Sequence, residues 1–373
     1  MTPQRRSATA SKSRRKFLLA GVATAASIAT PHVSQAQTIT WKFQSTWQTR
    51  DIFHEFAVDY ARKVNEMSGG RLKLDVLAAG TAVPAFQMQD AVHSGILDGG
   101  HGVCAYWYGK HHAFSLFGTA PPFGWDSHGL LGWFYYGGGE ALYNELVNNM
   151  LKLRLVGLLY FPMPTQPLGW FKREIKSADD FKGMKYRTVG LSADLFKELG
   201  ASVVILPGSE IVQAMEAGLL DGAELNNPSS DLRLGLPDVA KFYMMGSDHQ
   251  QTEAFEVIFN KLKHDSLPGE LKAILRNAAF AASSDQAWMA QERYARDLDE
   301  IKKRGVTVIK TPASVLEAQL QAWDKVISAQ SQDSFFKKVV DSQKAWVKRT
   351  GAYLQTSNLD SAALSAAYRH FFG

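Results

Sequence analysis

The chain has 373 residues, with 41 Lys and Arg against 36 Asp and Glu, a formal net charge of +5, and a single cysteine, Cys104. That length suffices for a large core or two lobes, and one cysteine excludes an intrachain disulfide. Six of the bases (Arg5, Arg6, Lys12, Arg14, Arg15, Lys16) fall in the first 36 positions with no acid among them; taking those six from 41 leaves 35 bases against 36 acids, about −1, so the basic balance gives no support for a nucleic-acid partner.

The N-terminus reads as an export signal over residues 1–36. Arg14-Arg15 precedes Lys16-Phe17-Leu18-Leu19, an apolar stretch runs to about Ile28, and Ser34-Gln35-Ala36 supplies small residues around a spacer. The twin arginines point to the bacterial Tat route and a periplasmic destination. The apolar stretch is shorter than the ~20 residues of a comfortable membrane span, and no later segment is apolar enough, so the chain is expected not to be membrane-spanning.

Beyond the signal, Ile39, Trp41 and Phe43 alternate on one face of a predicted strand, residues 52–67 carry apolar residues at helical spacing up to Gly69-Gly70, and 71–77 alternate again. Strand, helix, strand opens a βαβ unit. Residues 84–94 read as a helix, 114–125 as loop, and 130–153 as helix in two pieces around Gly137-Gly138-Gly139, a run that lacks phosphate-loop features. Strands follow at 155–161, 169–172, 185–189 and 203–206, with short helices at 177–181, 193–199 and 209–217. Residues 256–260 form an apolar strand; from Pro268 the chain is helical at 269–303 and 312–350 with a strand at 306–309. The predicted fold is α/β, with lobe I over 37–163 plus part of 253–373, lobe II over 164–252, and 253–373 supplying a return strand to lobe I and helices spanning both lobes.

Two stretches echo each other. Residues 91–99 read Ala-Val-His-Ser-Gly-Ile-Leu-Asp-Gly and residues 214–222 read Ala-Met-Glu-Ala-Gly-Leu-Leu-Asp-Gly. Each is a helix tail, a glycine stop and a short apolar step able to enter a buried strand. Either this is chance, since Gly-x-x-Asp turns are common, or it marks two similar lobes flanking a cleft for a small molecule.

Four residues stand out chemically. Arg187 ends a predicted buried strand, where its planar fork suits a carboxylate or a structural ion pair. Gln166 lies where a loop enters a strand, and its amide can serve a cation, a substrate or solvent. Glu224 follows the second echo at a strand C-terminus, where α/β sheets place ligands, and carboxylate, amide and carbonyl oxygens suit hard cations. Glu256 puts a charge on an apolar strand and needs a partner or a cation. Cys104 reads as a small buried residue and His111-His112 as surface.

Lys182-Gly183-Met184-Lys185-Tyr186-Arg187, the run 218–224 and Phe259-Asn260-Lys261 resemble TRAP-transporter solute-binding proteins of the DctP superfamily. Residues 78–84, 100–110 and Tyr135-Tyr136-Gly137-Gly138-Gly139 are similar to its 2-oxo-acid and lactate-binding branch. The resemblance spans about 38–350. It implies a type II periplasmic-binding architecture, two α/β lobes joined by crossing strands and a long helix. It also implies an arginine gripping the solute carboxylate, matched by Arg187, and a sodium or calcium ion bridging protein and solute, with Gln166, Glu224 and the Leu225 carbonyl at its ligand positions. Such a chelate selects acids with oxygen at carbon 2. The branch usually has Trp where this chain has Leu225, which implies a reshaped pocket admitting a bulkier, even aromatic, acid. Asn226 matches a substrate-contacting asparagine of the wider superfamily, and Trp47, Tyr106 and Trp107 are candidate walls.

The expected function is a non-enzymatic receptor, monomer or dimer, that delivers a small organic acid to TRAP permease subunits. The alternatives are an exported metal-dependent hydrolase or lyase, and a sensor subunit of the same fold; no nucleophile elbow, zinc-binding helix or Ser/His/Asp set favours the enzyme.

Overall fold

The computed structural model describes residues 38–357 and 361–372, so the export-signal expectation lies outside the described residues. β1 (Ile39–Ser45), α1 (Ile52–Met67) and β2 (Leu72–Leu77) open the chain, with β1 and β2 parallel and Ile39 opposite Leu72. α1 starts where Asp51 accepts from the Phe53 amide at 2.9 Å. Its buried stripe of Phe53, Phe56, Tyr60 and Val64 recurs at helical spacing. Each of these large side chains contributes roughly 1.5–3 kcal/mol by leaving water. A 3₁₀ turn (Ala85–Gln87) leads into α2 (Met88–Ser94), followed by β3 (Gly99–Gly102). A Cβ on Gly100 would sit 2.0 Å from the Met88 sulfur, so only glycine lets α2 lie this close on β3.

α3 (Ser127–Tyr136), α4 (Gly139–Asn144) and a π-helical turn (Glu145–Met150) then precede β4 (Leu155–Pro162). The first sheet has the order β2-β1-β3-β10-β4, completed by β10 (Ala254–Asn260), which runs antiparallel to both β3 and β4. Lobe II contains β5 (Gly169–Phe171), β6 (Lys185–Arg187), α5 (Leu191–Glu198), β7 (Ser202–Val204), α6 (Ile211–Glu216), β8 (Gly222–Ala223), α7 (Pro228–Leu234), α8 (Leu236–Val239) and β9 (Phe242–Met245). Its sheet has the order β11-β9-β5-β8-β6-β7, where β11 (Thr307–Lys310) returns from the C-terminal region to pair in parallel with β9. The third part of the chain therefore gives a strand to each sheet.

Two segments carry the chain between the sheets, 163–168 from β4 to β5 and 246–253 from β9 to β10. They run side by side: Met163 N donates to Glu253 O at 3.1 Å and Gln166 N to Gln250 O at 3.2 Å. α9 (Lys261–Asp265) leads to α10 (Gly269–Lys303), a helix of 35 residues. Leu271, Leu275 and Ala282 of α10 sit in the core of lobe I, while Ile301 sits in that of lobe II. Two crossing segments, irregular and not strands, and a long shared helix are thus both present. α11 (Ala313–Gln330), α12 (Ser334–Ser357) and α13 (Ser361–Phe372) end the chain. The single helix expected over 312–350 is broken at 331–333, where Asp333 accepts from the Phe336 amide at 2.6 Å and starts α12. Among the described residues no helix is long and apolar enough to cross a membrane.

The echo is a structural repeat. α2 stops at Gly95 and α6 just before Gly218, with φ of 83° and 71°, the left-handed region that suits glycine. The strands begin after the aspartate, not at the apolar step; Leu97 and Leu220 instead turn into the core. Each aspartate then clamps the neighbouring parallel strand. Asp98 donates its amide to Lys42 O at 2.9 Å and accepts from Lys42 N at 2.8 Å. Asp221 donates to Lys185 O at 2.8 Å and accepts from Lys185 N at 2.9 Å.

Candidate functional site

That clamp in lobe II sets the register of β6 against β8, with Arg187 opposite Ala223, and so puts Glu224 beside the arginine. Arg187 Nη1 donates to Glu224 Oε1 at 2.7 Å, and both side chains are only 2% exposed. Nε and Nη2 donate to the Leu206 carbonyl at 2.8 and 2.6 Å, and Nη1 also reaches the Glu224 carbonyl at 3.2 Å. Most of the guanidinium is therefore already held by protein. The structural ion pair, one of the two sequence alternatives for Arg187, is present. Burial pushes the Glu224 carboxyl up to about 7, although Arg187 draws it down.

A narrow cavity of about 20 Å³ opens against this pair. Trp47, Phe53 and Tyr106 face it from lobe I, Asn226 from lobe II, and Gln166, Gln250 and Glu253 from the two crossing segments. Trp47 is locked edge-on against Phe53, Phe255 and His101, with ring centroids 5.0–5.3 Å away. Burial raises the Tyr106 hydroxyl to about 12, with Arg187 holding it down, so it faces the cavity as a neutral phenol. Asn226 is anchored through its amide, which donates to Asp231 Oδ1 at 3.2 Å; Asp231 also accepts from Trp170 Nε1 at 2.8 Å and the Tyr243 hydroxyl at 2.9 Å.

Five of the residues singled out in the sequence thus meet in one place: Arg187, Gln166, Glu224, Asn226 and Tyr106, with Trp47 behind them. Glu256 and Trp107 do not. Glu256 accepts from Trp107 Nε1 at 2.5 Å, from the Tyr143 hydroxyl, and from Cys104 Sγ at 3.4 Å, closing a network inside the core of lobe I. Strand alternation explains the correction: Phe255 and Val257 of β10 face α1, so Glu256 points to the opposite side. Tyr106 and Trp107, consecutive in a 3₁₀ turn, have ring planes 90° apart. The Leu225 side chain is also absent from the cavity wall. It packs in the lobe II core near Gly208, where a Cβ would lie 3.1 Å from Leu225 Cδ1. Its side chain therefore does not itself line the cavity. Cys104 is buried, which pushes its thiol up, and His111 is half-buried while His112 is exposed.

Gln250 and Glu253 escaped the sequence reading. Glu253 accepts from Thr119 Oγ1 at 2.8 Å, Gln250 Nε2 at 3.0 Å and the Ala254 amide at 3.0 Å. Burial lifts its carboxyl to about 8. Their only sequence signal was polarity directly before an apolar strand. Gln166 Oε1 and Gln250 Oε1 are buried with no hydrogen-bond partner. Orphaned oxygens of this kind cost free energy unless a donor or a cation meets them. Among the described residues no group of three or more His, Cys, Asp or Glu side chains could hold a metal ion. The donor set here is instead amide oxygens with carboxylates, which fits sodium or calcium and not a transition metal.

Residues 43–338 match the profile of the DctP family, described as bacterial extracellular solute-binding protein, family 7. A monocarboxylate 2-oxoacid-binding periplasmic protein of Nostoc sp. is 31% identical over 325 residues, 86% of this chain and 87% of that protein. A TRAP periplasmic solute-binding protein of Colwellia psychrerythraea, solved with calcium and pyruvate, superposes with a TM-score of 0.80 at 29% identity, over 90% of this chain and 100% of the other. One from Pseudoalteromonas atlantica, solved with sodium and pyruvate, gives 0.81 at 28% identity, again over 90% and 100%.

Proposed function

This chain belongs to the DctP family of extracellular solute-binding proteins, a receptor and not an enzyme, and from that premise we propose that it captures a 2-oxo or 2-hydroxy monocarboxylate in the periplasm for a TRAP permease. Export by the Tat route is part of the reading and rests on the twin arginines at positions 14 and 15. The observation that carries the solute class is the buried Gln166 oxygen without a partner, in the same cavity as the Arg187–Glu224 pair. The relatives that hold pyruvate together with calcium or sodium support it.

Arg187 supplies the positive charge for the solute carboxylate, and its anchoring to Leu206 fixes where that charge sits. With most of its donors engaged, it acts as a positioned charge with a spare N–H, not as a free two-pronged fork. Tyr106 and Asn226 line the opposite walls. Gln166 Oε1, the Glu224 carboxylate and the Leu225 carbonyl would hold the cation. Such an ion, when bound, favours acids whose carboxylate and carbon-2 oxygen can be chelated together. Trp47 and Phe53 exclude water from that pair of oxygens, which strengthens every charge interaction there. Closure is selected because the solute touches both lobes only in the closed state.

The test is calorimetric titration of the metal-depleted protein with pyruvate, with and without added calcium or sodium, alongside Arg187→Ala. Binding that needs the cation and is lost in Arg187→Ala, with folding retained, is the expected result. Cation-independent binding rejects the bridge, and normal affinity in Arg187→Ala rejects the carboxylate role.

A further inference from the structure

A second cavity adjoins the first. It measures about 170 Å³, against about 20 Å³ beside Arg187. The two share Phe53, Met163 and Asn226 in their walls. From that common wall the larger space runs outward between Pro164 and Pro167 of a crossing segment, Pro228 at the start of α7, and Tyr294 and Leu298 of α10. Pro164, Thr165 and Ala295, which are exposed, mark its mouth.

The chemistry of the walls is one-sided. Side-chain polar groups come from Thr165, Asn226, Asn227 and the Tyr294 hydroxyl; the rest is aliphatic, aromatic, thioether or proline. Proline has no N–H and a fixed φ, so three of them give a stiff wall with no amide donors of their own to satisfy. Elements from both lobes and from α10 meet here, so the shape of the space depends on how the lobes are arranged. An apolar cavity of ~150 Å³ in a protein interior stays dry and accepts benzene. A space of 170 Å³ therefore has room for a branched aliphatic chain or a phenyl ring. The cavity beside Arg187 is barely larger than the ~10–15 Å³ that one water needs. It leaves no room for a carbon chain.

We propose that this apolar annex receives the carbon chain of the solute, so that the preferred ligand is a 2-oxo or 2-hydroxy acid with a branched aliphatic or aromatic chain, and pyruvate is a poor fit. The inference rests on the carboxylate and chelate reading above and adds the other end of the molecule. The specificity-determining residues are Leu298, Tyr294 and Pro228, in place of the Leu225 side chain, which is turned into the lobe II core.

The test measures dissociation constants of the calcium-loaded protein for pyruvate, 4-methyl-2-oxopentanoate and 3-phenyl-2-oxopropanoate, in the wild type and in Leu298→Trp. Each carbon buried is worth about fourfold in affinity. The three extra carbons of the branched acid should then give at least about a tenfold preference over pyruvate, after allowing for the chain freedom lost on binding. Leu298→Trp, at a half-buried position on the outer side of the annex, should cut that preference about tenfold and leave the pyruvate constant within about twofold, which also shows that the variant folds. Pyruvate binding with no chain preference, or a preference that Leu298→Trp leaves intact, overturns the annex and leaves the chelate reading standing. Failure of the wild type to bind any of the three acids overturns the chelate reading and the annex with it.

Discussion

Replacing Glu224 with glutamine isolates the charge at the centre of the site. The shape is nearly conserved, and the new amide oxygen can still accept from Arg187 Nη1, as can the Glu224 main-chain carbonyl at 3.2 Å. What is lost is the side-chain carboxylate that, among the described residues, pairs with Arg187, at 2.7 Å with both groups 2% exposed. Removing one partner of a buried ion pair typically costs 3–5 kcal/mol, because the other charge stays buried and uncompensated. The retained acceptors, and the burial that already disfavours the ionised carboxyl, put Glu224→Gln below that range, at about 1–2 kcal/mol. The measurement is urea unfolding of the solute-free protein at pH 8, above the raised value of about 7 for this carboxyl. A double substitution, Arg187→Met with Glu224→Leu, removes both charges and should recover most of the loss. Glu224→Gln lying within about 0.5 kcal/mol of wild type, the range of a neutral surface change, would refute the buried pair as the organiser of the site.

Two other perturbations act through the scaffold. Asp221→Ala removes the side-chain half of the clamp on Lys185, keeping the backbone half, and should cost about 1 kcal/mol, the usual worth of one hydrogen bond, while weakening solute binding severalfold because Arg187 and Glu224 lie two and three residues beyond the clamped pair; unchanged stability and affinity would show that β6 and β8 hold register without the carboxylate. Asp51 accepts from Ser230 at 2.6 Å across the cleft, and burial raises its carboxyl from 3.8 to about 6. The folded state thus keeps a proton that the unfolded state releases, so this contribution is full below pH 3.8 and lost as pH rises to about 6. A shift of two units amounts to about 3 kcal/mol, and Asp51→Asn should flatten the stability–pH curve by that much over the window; an unaltered curve would sink the assignment.

The parts legible in the sequence are those where one face of an element decides its pattern. α1 shows its stripe of Phe53, Phe56, Tyr60 and Val64, and α10 falls at 269–303 as expected, because its length leaves no competing period. The region from 225 to 253 was opaque. β9 has four residues, Phe242 to Met245, with no polar alternation because the strand lies inside the sheet between β5 and β11. α7 did carry start signals, Asn227 at the cap accepting from Ser230 N and Pro228 in the first turn, but it is only seven residues long. Gln250 and Glu253 were missed with that region. Glu256 was misplaced for a different reason: a charge on an apolar strand reveals that it has a partner, not which face the partner is on.

The repeat says more about the site than its modest length suggests. The same clamp organises both lobes, Asp98 on Lys42 and Asp221 on Lys185. Counting from it, Gln44 in lobe I stands where Arg187 stands in lobe II, and His101 stands where Glu224 does. Yet Gln44 is spent on the 82–83 turn, accepting from Ala82 N at 2.9 Å and Val83 N at 3.1 Å. His101 bonds the Tyr160 hydroxyl at 2.8 Å and is held well below its usual pKa by burial, hence neutral. The corresponding pair in lobe II is charged and faces the cavity. One backbone device therefore supports two different chemistries: lobe I presents Trp47 and Tyr106 as an uncharged wall, and lobe II carries the ion pair. On the proposed reading, an acid and its cation engage lobe II first, and lobe I closes over them with apolar surface. That order places the cost of desolvating the charges at closure, where the annex between the crossing segments and α10 offsets more of it for a solute with a carbon chain to bury.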